Sequence, residues 1–151
     1  TEHQKEEHSK KIRNFLTDQD KGAFVFEDTV SNTVIGAIMY ILANRDFVYP
    51  WKTIFHEIDR TMFQSDGRFM EIFSLWIHPN YRRLRLATQL KLKLEEEAQN
   101  QKVNLIYTHT EVNNNHVIEL NKKLGYQEVR RGPISDEIIR VSLIKQLTSF
   151  N

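Results

Sequence analysis

The sequence predicts a mixed α/β fold, on three observations. Residues 69–78 (FMEIFSLWIH) carry the strongest strand signal in the chain, closed by Pro79 and Asn80. Residues 83–100 switch to a helical period, and residues 103–108 return to a short apolar strand. Strand, helix and strand in that order imply a parallel pair joined by a right-handed crossover. Hairpin-type strand pairs at both ends of the sequence supply antiparallel edges.

Each element has its own signal. Residues 5–18 are polar with one apolar stripe, Ile12, Phe15 and Leu16, and read as a surface helix. Residues 23–28 and 33–42 are rich in β-branched and aromatic side chains, with TVSN between them. That is a hairpin whose second arm is apolar enough for a central strand. Residues 45–68 carry Phe47, Tyr49, Trp51, Phe55 and Phe63 with Pro50 and Gly67. They predict a loop, a short helix from Trp51 to Met62, and a turn. In residues 83–100, Leu86, Ala87, Leu90, Leu94 and Ala98 share one face, and Lys91, Lys93, Glu95, Glu96 and Glu97 lie mostly off it. Residues 113–124 form a second helix with Val117, Leu120 and Leu124 inward, stopped by Gly125. Residues 126–129 and 136–147 are two more strands around an Arg-Gly-Pro turn.

Composition narrows the function classes. The 151 residues, 40% hydrophobic and 11% aromatic, suffice for one packed domain covering 1–151. Lys and Arg number 21 against 20 Asp and Glu, a net charge of +1 that argues against a nucleic-acid partner. With no cysteine, disulfides, thiolate metal sites and cysteine nucleophiles are excluded. No apolar run approaches the ~20 residues of a membrane helix, so no membrane partner is expected. The N-terminus is charged and begins on Thr1 rather than Met, as a trimmed start would, with no signal peptide visible. The cytoplasm is the expected compartment.

Most catalytic signatures are absent. There is no phosphate-cradling GxxxxGK[ST], no G-x-S-x-G and no GxGxxG after a strand. His56-Glu57 begins like a zinc helix, but Arg60 stands where the second histidine belongs. His109, Glu111 and His116 make a poor ligand set and read as solvent-facing polar residues, so no metal is expected. What remains is the junction after residue 78, where a strand ends, a turn carries Arg82, Arg83 and Arg85, and a helix starts. The first N–H groups of a helix lack internal partners and carry partial positive charge. The junction therefore fits a phosphorylated ligand; taken alone, the arginines fit a solvated surface cluster equally well.

From Glu71 to Tyr126 the sequence resembles motifs A and B of the GNAT superfamily of N-acetyltransferases. The first motif, [RQ]-x-x-G-x-[GA], appears as Arg82-Arg83-Leu84-Arg85-Leu86-Ala87, with its ends matched and Arg85 in place of the middle glycine. The second, N-x-x-A-x-x-x-Y-x-x-x-G-[FY], appears as Asn114, Val117, Asn121, Gly125 and Tyr126, with Asn121 in the tyrosine position. The resemblance implies a central, mostly antiparallel sheet with one parallel splayed strand pair and flanking helices. It implies acetyl-CoA as co-substrate and transfer of its acetyl group to a primary amine of a small molecule or peptide. Main-chain groups of Leu75 and Ile77 would meet the pantetheine arm, and Arg82, Arg83, Leu84, Arg85, Leu86, Ala87 and Thr88 the pyrophosphate. Asn114 would lie near the pantetheine, and the Leu75 amide would polarise the thioester carbonyl. An arginine at position 85 can still adopt helical dihedrals, with its side chain swung out or folded over the phosphates, and binding is expected to survive.

An amine nucleophile must be neutral, yet free amines have pKa ~10, so a base is required. Glu71 is the first candidate: it lies eleven positions before Arg82, where the resemblance implies a glutamate base in some family members, and on the face of Phe73, Leu75 and Ile77 a carboxylate beside aromatic side chains is desolvated and its pKa rises. A glutamate paired with Arg or Lys is the competing reading, and His78 is the alternative base. Asn121 has no proton to give, which leaves Tyr126, Tyr107 or solvent as the acid. Arg85 and Asn121 also fit a catalytically silent acetyl-CoA-binding domain of the same fold. The aromatic segment 45–68 offers either an acceptor pocket or an interaction surface, a homodimer among its uses.

Overall fold

The computed structural model describes residues 20–82 and 85–147. The expected helix over residues 5–18 lies outside them, as do Arg83 and Leu84. Six strands are present: β1 (Lys21–Asp28), β2 (Thr33–Asn44), β3 (Arg68–Ile77), β4 (Leu105–Glu111), β5 (Gln127–Gly132) and β6 (Arg140–Gln146). Among the described residues two α-helices join them, α1 (Leu86–Asn100) and α2 (Asn115–Lys123). The strands hydrogen-bond in the order β1-β2-β3-β4-β6-β5. β3 and β4 are parallel, while β1–β2, β4–β6 and β5–β6 are antiparallel. This is the predicted class, with one parallel pair in a mostly antiparallel sheet.

The described residues fall into two compact units, 20–42 with 72–82 and 85–97, and 43–71 with 98–147. In the first, Ala37 and Met39 of β2 pack with Ala23, Val34 and Ile41. Leu90 and Leu94 of α1 are buried at helical spacing, as their period predicts. Lys91, which that period puts off the apolar face, is buried as well. Gly36 lies close to β3 and α1: a Cβ there would lie 2.9 Å from Ile77 Cδ1, which would have to shift, and 3.7 Å from Leu90 Cδ1.

The second unit packs Phe55, Ile58, Phe63, Phe69, Leu105, Tyr107 and Ile144 into one core. Phe55 meets Phe69 and Tyr107 edge to face, with ring centroids 4.8 and 5.4 Å apart. Such T-shaped contacts set the positive rim of one ring on the face of the next. The α2 helix ends as predicted. Gly125 takes φ 96°, Tyr126 N–H donates to the Asn121 carbonyl at 2.9 Å, and Gly125 N–H donates to Lys122 at 3.1 Å. Together they make a Schellman closure that satisfies the final carbonyls.

The predicted helix over residues 51–62 is not formed. Two 3₁₀ turns stand in its place, Phe55–Glu57 and Arg60–Met62. Side chains take the bonds a helix would have used. Arg45 Nη2 donates to the carbonyl of Ile58 at 3.1 Å, and Arg60 Nη1 and Nη2 donate to the carbonyls of Gln64 and Ser65 at 2.9 Å each. Asp59 Oδ1 accepts from the N–H of Thr61 at 2.9 Å, and a capping aspartate of this kind starts a new turn rather than continuing an old one. Irregular backbone is tolerated because its polar groups are paired.

Candidate active site

Glu71 and Tyr107 are register partners on the parallel strands β3 and β4, next to the pair Met70 and Ile106. Directly paired residues project to the same side of a sheet. Tyr107 is buried at 1% exposure. Its hydroxyl lies 3.0 Å from Ser142 Oγ and 3.3 Å from His109 Nδ1. Ser142 is in turn the register partner of both His109 and Arg130. Arg130 Nε donates to Glu57 Oε1 at 3.2 Å, and its Nη2 donates to the Pro133 carbonyl at 2.9 Å. A row of polar side chains thus crosses β3, β4, β6 and β5 above the aromatic core.

The environment sets the charge states in this row. Burial raises the Glu71 carboxyl to about 7, the expected effect of taking a carboxylate out of water. Burial also raises the Tyr107 phenol, and the nearby charges of Glu71 and Glu57 push it the same way while Arg130 and the Ser142 hydrogen bond oppose them. His109 is held below the ordinary imidazole value by burial and by Arg140. Glu71 is therefore the carboxyl of this row that changes charge near neutrality, while Tyr107 keeps its proton. The Tyr107–His109–Ser142 network escapes sequence reading because register joins residues 35 positions apart. The sole signal was the His109, Tyr107 alternation along one strand. Among the described residues no group of three or more His, Asp or Glu could hold a metal ion, so His109, Glu111 and His116 form no ligand set.

Further along β3, Leu75 and Ile77 are half-buried on Glu71's side by alternation. The chain then turns through a 3₁₀ segment, Pro79–Tyr81, in which His78 Nδ1 accepts from Asn80 N–H at 3.1 Å. That bond makes His78 the cap of a turn. Arg82 follows, exposed, and Arg85 precedes α1, whose first turn contains Leu86, Ala87 and Thr88.

Arg85 does not take helical dihedrals. Its φ is 59°, the left-handed conformation that an L-residue adopts at a cost of roughly 1–2 kcal/mol. The Arg85 carbonyl still accepts from Gln89 N–H at 3.1 Å, the first bond of α1. The turn keeps a glycine's backbone while carrying an arginine side chain. Asn114 caps α2 at its N-terminal end, its Nδ2 donating to Thr110 Oγ1 at 3.2 Å and its carbonyl accepting from Ile118 N–H. Asn121, on the same helix, is buried at 1% exposure with neither amide atom hydrogen-bonded. Tyr126 is buried too.

Comparison with known proteins adds a lineage to this geometry. No curated protein matches the sequence. Among solved structures, Arabidopsis thaliana NAA60 in complex with a bisubstrate analogue is similar at a TM-score of 0.72 and 18% identity, over 94% of this chain and 84% of that one. The same plant protein with acetyl-CoA aligns at a TM-score of 0.71 and 19% identity, covering 91% and 82%. The ribosomal-protein-S18-alanine N-acetyltransferase from Escherichia coli aligns at 0.65 and 12% identity, covering 92% and 78%. At such identities the likeness is one of fold. The sequence profile of the acetyltransferase (GNAT) family matches residues 1–126, most of the chain, and the protein belongs to that family.

Proposed function

We propose that this chain, taken as one domain over residues 1–151, moves an acetyl group from acetyl-CoA to a primary amine of a small molecule or peptide. The observation that carries the reading is Glu71, a half-buried carboxyl raised to about 7 at the last register pair of the parallel strands. The amine nitrogen attacks the thioester carbonyl carbon. Glu71 accepts the proton that the nitrogen sheds as the C–N bond forms. The proton passes to Glu71 directly or through water. The Leu75 N–H stabilises the oxyanion, the C–S bond breaks, and the CoA thiolate takes a proton from solvent. Tyr107, whose phenol is raised, is a poor source of that proton.

Arg82 and Arg85 with the first amides of α1 receive the pyrophosphate. Leu75 and Ile77 offer main-chain groups to the pantetheine amides, a role the second motif extends to Asn114. The family membership and the acetyl-CoA held by one structural neighbour support this use of the residues. Among the described residues no helix is long and apolar enough to cross a membrane, and the cytoplasm stays the expected compartment.

Release of CoA thiol in the presence of an amine library tests the reading. Glu71→Gln should lower turnover by about 100-fold, the contribution of a positioned base, with acetyl-CoA affinity retained. Unchanged turnover would remove Glu71 from the chemistry. A second reading, a domain that binds acetyl-CoA without transfer, is favoured by Asn121 in the second motif; acetyl-CoA binding without thiol release for any amine would select it.

A further inference from the structure

The turn that leads into the arginines is anchored from outside. Tyr81 Oη donates to Asp28 Oδ2 at 2.7 Å, joining residues 53 positions apart. Asp28 ends β1, and its other oxygen accepts from Val30 N–H at 2.9 Å and Ser31 N–H at 3.3 Å. Both carboxylate oxygens are thus in use, and the Tyr81 bond is the largest cause holding this carboxyl below its ordinary range. On the other side of the turn, His78 N–H donates to the Ile35 carbonyl of β2 at 2.7 Å. The Tyr81 ring stands edge-on to His78, with centroids 5.6 Å apart. Residues 78–81 are therefore pinned at one end to β2 and at the other to the tip of the β1–β2 hairpin, and Arg82 is the next residue.

We propose that Tyr81, through its hydrogen bond to Asp28, is a positioning residue that holds the Arg82 turn ready for the diphosphate of acetyl-CoA. The proposal rests on the acetyl-CoA reading above. A hydrogen bond to a charged acceptor is among the stronger ones available at a protein surface. It fixes the turn before the ligand arrives, and so reduces the ordering cost of binding. The tether acts on the phosphate end of the coenzyme alone, since Leu75 and Ile77 lie within a strand that does not depend on it.

Two ligands separate this role from a general structural one: acetyl-CoA, and S-acetylpantetheine, which has the thioester arm and no diphosphate. Affinities are read by ligand-observed NMR titration. Tyr81→Phe should weaken acetyl-CoA by about tenfold, the effect of one hydrogen bond to a charged group, and leave S-acetylpantetheine unchanged. Asp28→Asn, which keeps an acceptor for the hairpin amides but can only donate to the phenol and carries no charge, should weaken acetyl-CoA less than Tyr81→Phe does. Asp28→Ala should match Tyr81→Phe, and the double variant should lose no more than either. Full acetyl-CoA affinity in Tyr81→Phe, or an equal loss for both ligands, would overturn the proposal. Wild-type protein that binds neither ligand would instead end the acetyl-CoA reading itself.

Discussion

A carboxyl raised to about 7 is half ionised at the pH where amine acetylation must run, and only its ionised form accepts a proton. The kcat/KM for the amine should therefore rise more steeply below pH 7 than above it in the wild type, and Glu71→Gln should abolish that break, leaving the slope set by the amine's own pKa of ~10. A break near 7 that survives the substitution would assign the base elsewhere. Asn121 presents the opposite problem, a buried amide with nothing to bond. Asn121→Leu, close in shape and without polar atoms, should raise stability by about 1–3 kcal/mol in chemical denaturation, and a loss would reveal a hidden partner. At Arg85, glycine would relieve roughly 1–2 kcal/mol of left-handed strain and forfeit roughly 0.5–1 through a freer unfolded chain. Arg85→Gly should therefore melt slightly higher than the wild type, and a lower melting point would mean that the arginine side chain stabilises the turn.

The α2 helix shows how much a single backbone angle contributes. Gly125→Ala, forced to keep φ 96°, should lose about 1–2 kcal/mol on the left-handed penalty, read by urea denaturation. No loss would mean the Schellman closure is not retained in solution. Elements governed by local chemistry were legible in the sequence: β3 by its apolar run, α1 by its period, the end of α2 by Gly125. Residues 45–68 were not, because guanidinium groups take their carbonyls, Arg45 reaching Ile58 thirteen residues on and Arg60 reaching Ser65 five residues on. Arg85 was legible as an arginine standing where a glycine is suited, but its φ of 59° was not, because the turn and not the residue type imposes it. Glu71 was legible as a candidate because strand alternation places it, while its neighbours Tyr107, His109 and Ser142 are assembled by register between strands, which no local pattern encodes.

For the molecule as a whole, two signals agree: the sequence profile matched over residues 1–126 and a strand order with one parallel pair. The net charge of +1 is too small to draw in a polyanionic coenzyme by overall attraction, so the arginine turn has to supply the local field. The most direct test is a titration of isotopically labelled protein with acetyl-CoA, followed through the backbone amide resonances. Shifts concentrated at Leu75, Ile77, Arg82 and Arg85–Thr88 are the predicted result. Saturating acetyl-CoA that leaves those amides unmoved would contradict it.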